Sequence, residues 1–351
     1  MEDEAVSIDS TARLSKPGMP QAHCRDDLDL CKVLEPGLWG IVLAGGEGER
    51  FKELAEKLCG YPRPKQYCAV LGRRTMIQHT LARAEFLIPA ERIVVVVNES
   101  HRKEVLDQLG GRPRGTVLFQ PQNRETATGI LLPLTWIARQ DREAVVVILP
   151  SDHFVLEEAR FMAHVRWAKR LVENQARDLC ILLGVGAEAP ETGYGWIEPL
   201  DVAGGVGVSR VRAFREKPDF QTAEYMYRSG WLWNTLVLVA RAATLLQMYK
   251  EYLPDLYERF ERIAPLLGTH EEKGALEEAY ARIPPISISQ GILQRNPVNL
   301  RALRVRKVLW SDWGSSMRVR QTLERIGRLH ELASRLVGRG HDPETILGRI
   351  C

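Results

Sequence analysis

The sequence predicts an α/β fold whose mostly parallel sheet is covered by helices on both faces. Three observations lead there. Short runs rich in valine and isoleucine recur along the chain, they are apolar throughout rather than alternating, and stretches of helical period separate them. A strand apolar on both faces is a strand buried on both faces, as in parallel sheets whose crossovers are helices. Right-handed crossovers then distribute those helices over the two sides.

Taken in order, residues 1 to about 36 are polar and aperiodic and close on Pro36-Gly37. They read as a loosely ordered extension, with a short helix expected around Asp26 to Leu34. The main domain is expected over 37–315 and a helical C-terminal tail over 316–351. Buried strands are expected at 39–43, 92–98, 116–119, 145–149 and 180–185, and helices at 75–86, 126–139, 159–174, 242–252 and 316–336. From about Gly193 the pattern changes. Stretches 206–214 and 236–239 read as strands of a mixed, partly antiparallel region, and 303–309 as one more short strand.

Composition excludes several functions. The chain has 351 residues, 45% of them hydrophobic and 26% charged, enough for a real core. Its 48 basic and 45 acidic residues leave a net charge of +3, without the clustered basic excess of a nucleic-acid binder. The most apolar runs, 94–97 and 144–149, are far shorter than the ~20 residues of a membrane-spanning helix. The start, Met1-Glu2-Asp3-Glu4, is acidic where a secretory signal is basic. The six cysteines form no CxxC pair and no Cys/His metal spacing, so reduced thiols in the cytoplasm are expected.

The sharpest local feature is Ile41-Val42-Leu43-Ala44-Gly45-Gly46-Glu47-Gly48-Glu49-Arg50, an apolar strand running straight into three glycines. Glycine lets a backbone approach phosphate closely and aim several N–H groups at it. Arg50 follows at once, and Lys65 arrives behind Pro62 and Pro64, which stiffen its approach. Donors flanked by two fixed cations suit a triphosphate. A Walker loop would end in Gly-Lys-Ser/Thr, but Glu49-Arg50 follows Gly48. A dinucleotide loop would need glycine at Phe51 and an acid at the end of the next strand, about 20 positions on. A tight turn with no ligand is the alternative.

Asp152, in Leu149-Pro150-Ser151-Asp152-His153, sits at the C-terminal end of a strong strand, the edge where ligands bind in open α/β sheets. Asp312, in Trp310-Ser311-Asp312-Trp313-Gly314, closes another. Two carboxylates with phosphate oxygens make a hard-oxygen site of the kind Mg²⁺ prefers; a cap or turn role is the alternative for each. Thr192-Gly193-Tyr194-Gly195-Trp196-Ile197-Glu198 can lay a sugar against backbone and an aromatic ring. Glu216 is suited to sugar hydroxyls, Lys217 to a phosphate, and Asn234 to a hydroxyl pair; an ordinary β-turn at 192–198, a solvated charged corner at 214–218 and a buried strand start at 232–235 are the alternatives.

In order and spacing these segments resemble the mannose-1-phosphate guanylyltransferase family of the sugar-1-phosphate nucleotidyltransferases, from Trp39 to about Gly314. Pro64-Lys65-Gln66 completes the resemblance of the glycine loop to the family's triphosphate loop. Arg124-Glu125-Thr126-Ala127 resembles its nucleoside-contacting segment. The resemblance implies a Rossmann-like nucleotidyltransferase fold and transfer of a guanylyl group from GTP to mannose 1-phosphate, with Mg²⁺ as cofactor. It implies nucleotide binding by Leu43, Ala44, Gly45, Gly46, Gly48, Arg124, Thr126 and Asp152, and catalysis by Arg50, Lys65 and Asp152. Tyr194, Gly195, Glu216, Lys217 and Asn234 would hold the sugar phosphate, and Asp152 and Asp312 the metal. Family members often self-associate, which makes a homo-oligomer an expectation.

The chain departs from the family pattern at Glu49 (usually Thr), Glu125 (Asn), Thr235-Leu236 (Ser-Gly) and Ser287-Ile288-Ser289-Gln290 (Ser-Ile-Asp-Tyr). The phosphate and metal machinery is intact while base and sugar recognition are altered. A fused isomerase or left-handed β-helix domain has no counterpart after Gly314. The same chemistry on another hexose 1-phosphate or nucleotide, or a non-catalytic nucleotide-sugar-binding regulatory subunit, are the competing readings. A nicotinamide-dependent oxidoreductase is disfavoured by the loop.

Overall fold

A computed structural model describes residues 33–174, 178–200, 207–295 and 298–347. The strands are β1 (Leu38–Ala44), β2 (Ile93–Asn98), β3 (Val117–Gln120), β4 (Val145–Pro150), β5 (Phe154–Val155), β6 (Cys180–Gly186), β7 (Gly195–Pro199), β8 (Val208–Glu216), β9 (Leu232–Arg241), β10 (Leu300–Arg304) and β11 (Trp310–Ser311). The helices are α1 (Lys52–Cys59), α2 (Met76–Ala84), α3 (Arg102–Leu109), α4 (Glu125–Gln140), α5 (Glu158–Asn174), α6 (Phe220–Arg228), α7 (Ala242–Tyr252), α8 (Pro254–Ile263), α9 (Glu272–Ala281), α10 (Ser316–Arg325), α11 (Leu329–Val337) and α12 (Pro343–Leu347).

Nine strands form one sheet in the order β3-β2-β1-β4-β9-β6-β10-β8-β7. β3, β2, β1 and β4 are mutually parallel, β9 lies antiparallel between β4 and β6, and β10 runs parallel to β6. The expected α/β class with a mixed second half is what the chain adopts. Neighbouring residues of the parallel strands enter opposite cores, which is why those runs are apolar without alternation. Val94, Val96, Val146 and Ile148 face a core shared with α4 and α7, while Val95, Val97, Val145 and Val147 face one shared with α2 and α5. Each such side chain contributes roughly 1.5–3 kcal/mol on burial.

Several boundaries differ from the sequence reading. The strand expected at 303–309 begins at Leu300 and ends at Arg304. Val305 makes a last rung to the Gly184 carbonyl at 2.8 Å, and Lys307, at φ 55°, then turns the chain away. The single helix expected over 316–336 is two, broken at Gly327, whose φ of 68° cannot continue a right-handed helix. Both pieces pack on α1 in a third core, where Val319, Leu323, Leu332 and Leu336 meet Phe51, Leu54 and Leu58. The short helix expected at 26–34 falls largely outside the described residues, and Val33 and Leu34 are irregular. Among the described residues no helix is long and apolar enough to cross a membrane. Cys59, Cys68 and Cys180 are unbridged.

Candidate active site

The glycine turn leaves the C-terminal end of β1, with Asn98 and Gln120 standing at the ends of the two neighbouring parallel strands. Their amides hold it in place. Gln120 Nε2 donates to Asn98 Oδ1 (2.6 Å), and Asn98 Nδ2 donates to the Gly45 carbonyl (2.7 Å) and to Glu47 (3.0 Å). Gln66 Nε2 donates to the carbonyls of Ala44 (2.9 Å) and Gly46 (2.8 Å). Occupying carbonyls with side-chain amides fixes the turn's shape before a ligand arrives, which lowers the ordering cost of binding. Gly48 adopts φ 66°, and a Cβ there would stand 3.1 Å from Cβ of Lys65, so glycine is what lets the Lys65 segment close against the turn.

Lys65 begins a short 3₁₀ turn directly behind Pro64 and is only 3% exposed. Its Nζ donates to Asp152 Oδ2 at 3.0 Å and to the main-chain carbonyl of Asp312. Topology explains the meeting. Asp152 lies just past β4, and β5, which opens two residues later, pairs antiparallel with β11 so that Ser311 stands opposite Phe154. The two-strand ribbon therefore carries Asp312 back to Asp152, and Trp313 stacks on Phe154 at 4.6 Å to hold it there. Loss of surrounding water pushes the Asp152 carboxyl up, but the Lys65 ammonium and its hydrogen bond, with His153, together leave it below the usual carboxylate range. His153 packs edge-on against Trp310, and its burial holds the imidazole pKa low.

Asp312 is fully engaged. Its Oδ1 accepts from the Tyr194 hydroxyl (2.8 Å), the Gly314 N–H (2.9 Å) and Arg318 Nη1 (2.9 Å), and its Oδ2 accepts from the same Arg318 nitrogen (2.8 Å). Desolvation raises its pKa, and Arg318 with the Gly314 amide brings it below the usual range. Whether a divalent cation fits can be read from the donors. Asp152 has one oxygen on Lys65 and the other 3.9 Å from His153 Nε2, and the side chain lines the cleft 36% exposed, a hard donor suited to a cation that completes its shell with phosphate and water. Asp312 lines the same cleft, and its carboxylate already carries the Arg318 guanidinium. Among the described residues no group of three His, Cys, Asp or Glu side chains makes a closed protein cage.

The second half of the cleft is built by β7, β8 and β9. Gly195 lies opposite Glu216 across β7–β8, and a Cβ on it would meet Glu216 Oε2 at 2.8 Å, so glycine admits that carboxylate to the cleft wall. Burial raises the Glu216 pKa, against the opposing pull of Lys217. Lys217 is largely exposed at φ 44°. Asn234 is buried and accepts from the Leu236 N–H at 3.2 Å. Leu236 itself lines the cleft at φ 57°, and Glu125, at φ 64°, lines it from the start of α4. Left-handed backbone is sparse for such residues and commoner for glycine and asparagine, so at both positions a larger side chain is held at some conformational cost.

The enclosed space is about 440 Å³. Leu43, Gly46, Gly48, Arg50, Lys65, Thr126 and Asp152 line it on the glycine-turn side, and Tyr194, Gly195, Glu216, Lys217, Asn234 and Asp312 on the other. Ala44, Gly45 and Arg124 are not in its lining. Ala44 and Gly45 lie behind the turn, and Arg124 is spent on the Tyr280 carbonyl (3.0 Å) and Gln122 (2.6 Å). Arg50 is exposed and has no ion-pair partner among the described residues. Sequence reasoning passed over Asn98, Gln120 and Arg318. The first two stand at C-terminal ends of parallel strands, the one signal that marks them. Arg318 reads in sequence as an ordinary helix-surface cation.

Fold and cleft together define an α/β protein whose cleft opens between a glycine turn and the acids Asp152 and Asp312. The chain belongs to the Nucleotidyl transferase family, whose profile matches residues 39–321. It is 34% identical over 260 residues to the alginate biosynthesis protein AlgA of Pseudomonas fluorescens, covering 73% of this chain and 52% of that protein. It is 31% identical over 267 residues to mannose-1-phosphate guanylyltransferase of Escherichia coli K12, covering 74% and 54%. The chain thus spans about half the length of the curated relatives it matches. Among solved structures, a Thermus thermophilus protein described as a mannose-1-phosphate geranyltransferase superposes with a TM-score of 0.69 at 27% identity, covering 82% of this chain and 79% of that one. Mannose-6-phosphate isomerase from Helicobacter pylori shares the fold at a TM-score of 0.62 and 20% identity, over 78% and 99% of the two chains.

Proposed function

We propose that the cleft transfers the guanylyl group of GTP to mannose 1-phosphate, forming GDP-mannose and pyrophosphate, with Mg²⁺ and in the cytoplasm. The single observation that carries this reading is the meeting of Lys65, Asp152 and Asp312 at the foot of the glycine turn. A pure sugar or nucleotide binder has no need of a buried ammonium that ties the Asp152 carboxylate to the Asp312 main chain. The guanylyl and mannosyl preferences rest on the relatives' activities and on the motif resemblance.

In this reading an oxygen of the sugar phosphate attacks the α-phosphorus in line. One P–O bond forms as the bond to the pyrophosphate oxygen breaks, and no protein side chain is acylated or phosphorylated. Catalysis is then positioning and charge neutralisation. Gly46 and Gly48 cradle the triphosphate, and unpaired Arg50 meets its outer phosphates. Arg124, held by Tyr280, orients the start of α4 and with it Thr126 toward the nucleoside. Glu216 and Asn234 receive sugar hydroxyls between Tyr194 and Gly195, and exposed Lys217 swings onto the sugar phosphate. Asp152 would hold Mg²⁺, which when bound would supply Lewis-acid neutralisation of charge on the transferred guanylyl group.

Leu236 and Glu125 favour a second reading with the same chemistry, in which a different hexose 1-phosphate or nucleotide is preferred, because both add bulk or charge to the cleft wall. One experiment separates the possibilities: pyrophosphate release by the purified chain across a matrix of nucleoside triphosphates and sugar 1-phosphates with Mg²⁺. GTP with mannose 1-phosphate is expected to give the highest kcat/KM. A different best pair supports the second reading, and no release from any pair ends the transferase reading.

A further inference from the structure

Arg318 stands just outside the cleft lining, tied to Asp312, which lines it. From the first turn of α10 one guanidinium nitrogen spans both Asp312 oxygens at 2.9 and 2.8 Å, and the other donates to Glu191 at 2.5 Å. The guanidinium plane lies over the Tyr194 ring, 4.3 Å from its centroid, while the Tyr194 hydroxyl donates to the same carboxylate. Both Asp312 and Arg318 are 14% exposed at the side chain, so little water competes with the pair. The Ser315 hydroxyl accepts from the Arg318 N–H and caps the helix, fixing where the side chain starts. The nitrogen on Asp312 also sits close to Gly314, and the nitrogen on Glu191 close to Gly193, two glycines that line the cleft.

These contacts place a positive charge directly on the Asp312 carboxylate, so a metal using that carboxylate would have to share it with the guanidinium. We propose that Arg318 is a resident counter-cation that competes with the divalent ion for the Asp312 carboxylate and so weakens metal binding to the substrate-free protein. Glu191 is the positioning residue that holds the guanidinium there. Asp152, whose second oxygen is not so covered, becomes the anchor of the metal, and Asp312 joins only when Arg318 is drawn off. Phosphate groups entering the cleft carry the charge to do this, since a guanidinium pairs with phosphate as readily as with carboxylate. Substrate arrival and full metal coordination are thereby coupled through one side chain.

The inference rests on the cation reading of this cleft, and its test does not use turnover. Mn²⁺ binding to the substrate-free chain is measured by titration with electron paramagnetic resonance of the free ion. Arg318→Ala is expected to bind Mn²⁺ at least about tenfold more tightly than wild type, the low end of what close charge pairs contribute in low-dielectric settings. Adding Asp312→Asn to that variant should erase the gain, which separates direct competition from a general loss of positive charge. Glu191→Gln leaves Arg318 in place but loosens it, and should give a smaller gain in the same direction even where the Arg318 variant folds poorly. Unchanged Mn²⁺ affinity in both Arg318→Ala and Glu191→Gln, or a gain that survives Asp312→Asn, overturns the proposal. Pyrophosphate release by wild type alongside either of those results leaves the transferase reading standing.

Discussion

Lys65→Ala lowers kcat/KM for pyrophosphate release on the order of 10³-fold, the scale of losing a charged, preorganised donor in a water-poor site. Lys65 Nζ bridges a carboxylate oxygen of Asp152 and the main-chain carbonyl of Asp312, so its removal frees the two segments from one another as well as deleting a charge. Lys65→Arg should not rescue, because the slot beneath the glycine turn receives a single point donor from a 3%-exposed side chain and has no room for a planar fork. A stability effect accompanies the kinetic one. The Asp152 carboxyl sits below its ordinary range because desolvation, which raises it, is offset by Lys65 first and by His153. Its contribution to folding is therefore present above the unfolded pKa near ~3.9 and fades as pH falls through the lowered value. The melting-temperature gap between wild type and Lys65→Ala should be widest at neutral pH and close in acid. A gap that stays constant across that range would mean that Lys65 contributes by packing alone.

Asp152→Asn has the second large effect: a loss of turnover on the order of 10³-fold or more, with the fold retained. Asparagine keeps the shape of the side chain and can still accept from Lys65, and Ser151 continues to donate to the Leu43 carbonyl at 3.1 Å, so the strand end stays in register. What is lost is the negative charge that a hard cation would need from this side chain. Raising Mg²⁺ should restore little of the rate, since a neutral amide oxygen is a weak substitute for a carboxylate. Steady-state assays over a Mg²⁺ series, with circular dichroism to verify the fold, check this. Wild-type turnover at ordinary Mg²⁺ would remove Asp152 from the chemistry.

The legible part of the fold was the part where burial dictates composition. The valine runs of β1, β2 and β4 announce strands because both their faces enter a core, and the glycine turn follows because a strand end that opens onto a ligand needs close backbone approach. The illegible parts have local causes. A left-handed residue at Lys307 and another at Gly327 ended elements that apolar periodicity alone would extend. The convergence of Asp152 and Asp312 depends on a ribbon of only two residues per strand, β5 and β11, too short to show any period. The resemblance, through motif order, anticipated that these residues act together. Arg318 escaped notice for a different reason, since an arginine on an amphipathic helix is expected in solvent, and only the fold turns it back onto the carboxylate.

In the proposed function the glycine turn and the two acids form a single phosphate-and-cation site. The most direct test is an anomalous difference map from crystals grown with Mn²⁺ and a non-hydrolysable GTP analogue. It should place the ion against the Asp152 carboxylate and the triphosphate along residues 45–50. Nucleotide bound elsewhere on the molecule, or an ion remote from both Asp152 and Asp312, would contradict it.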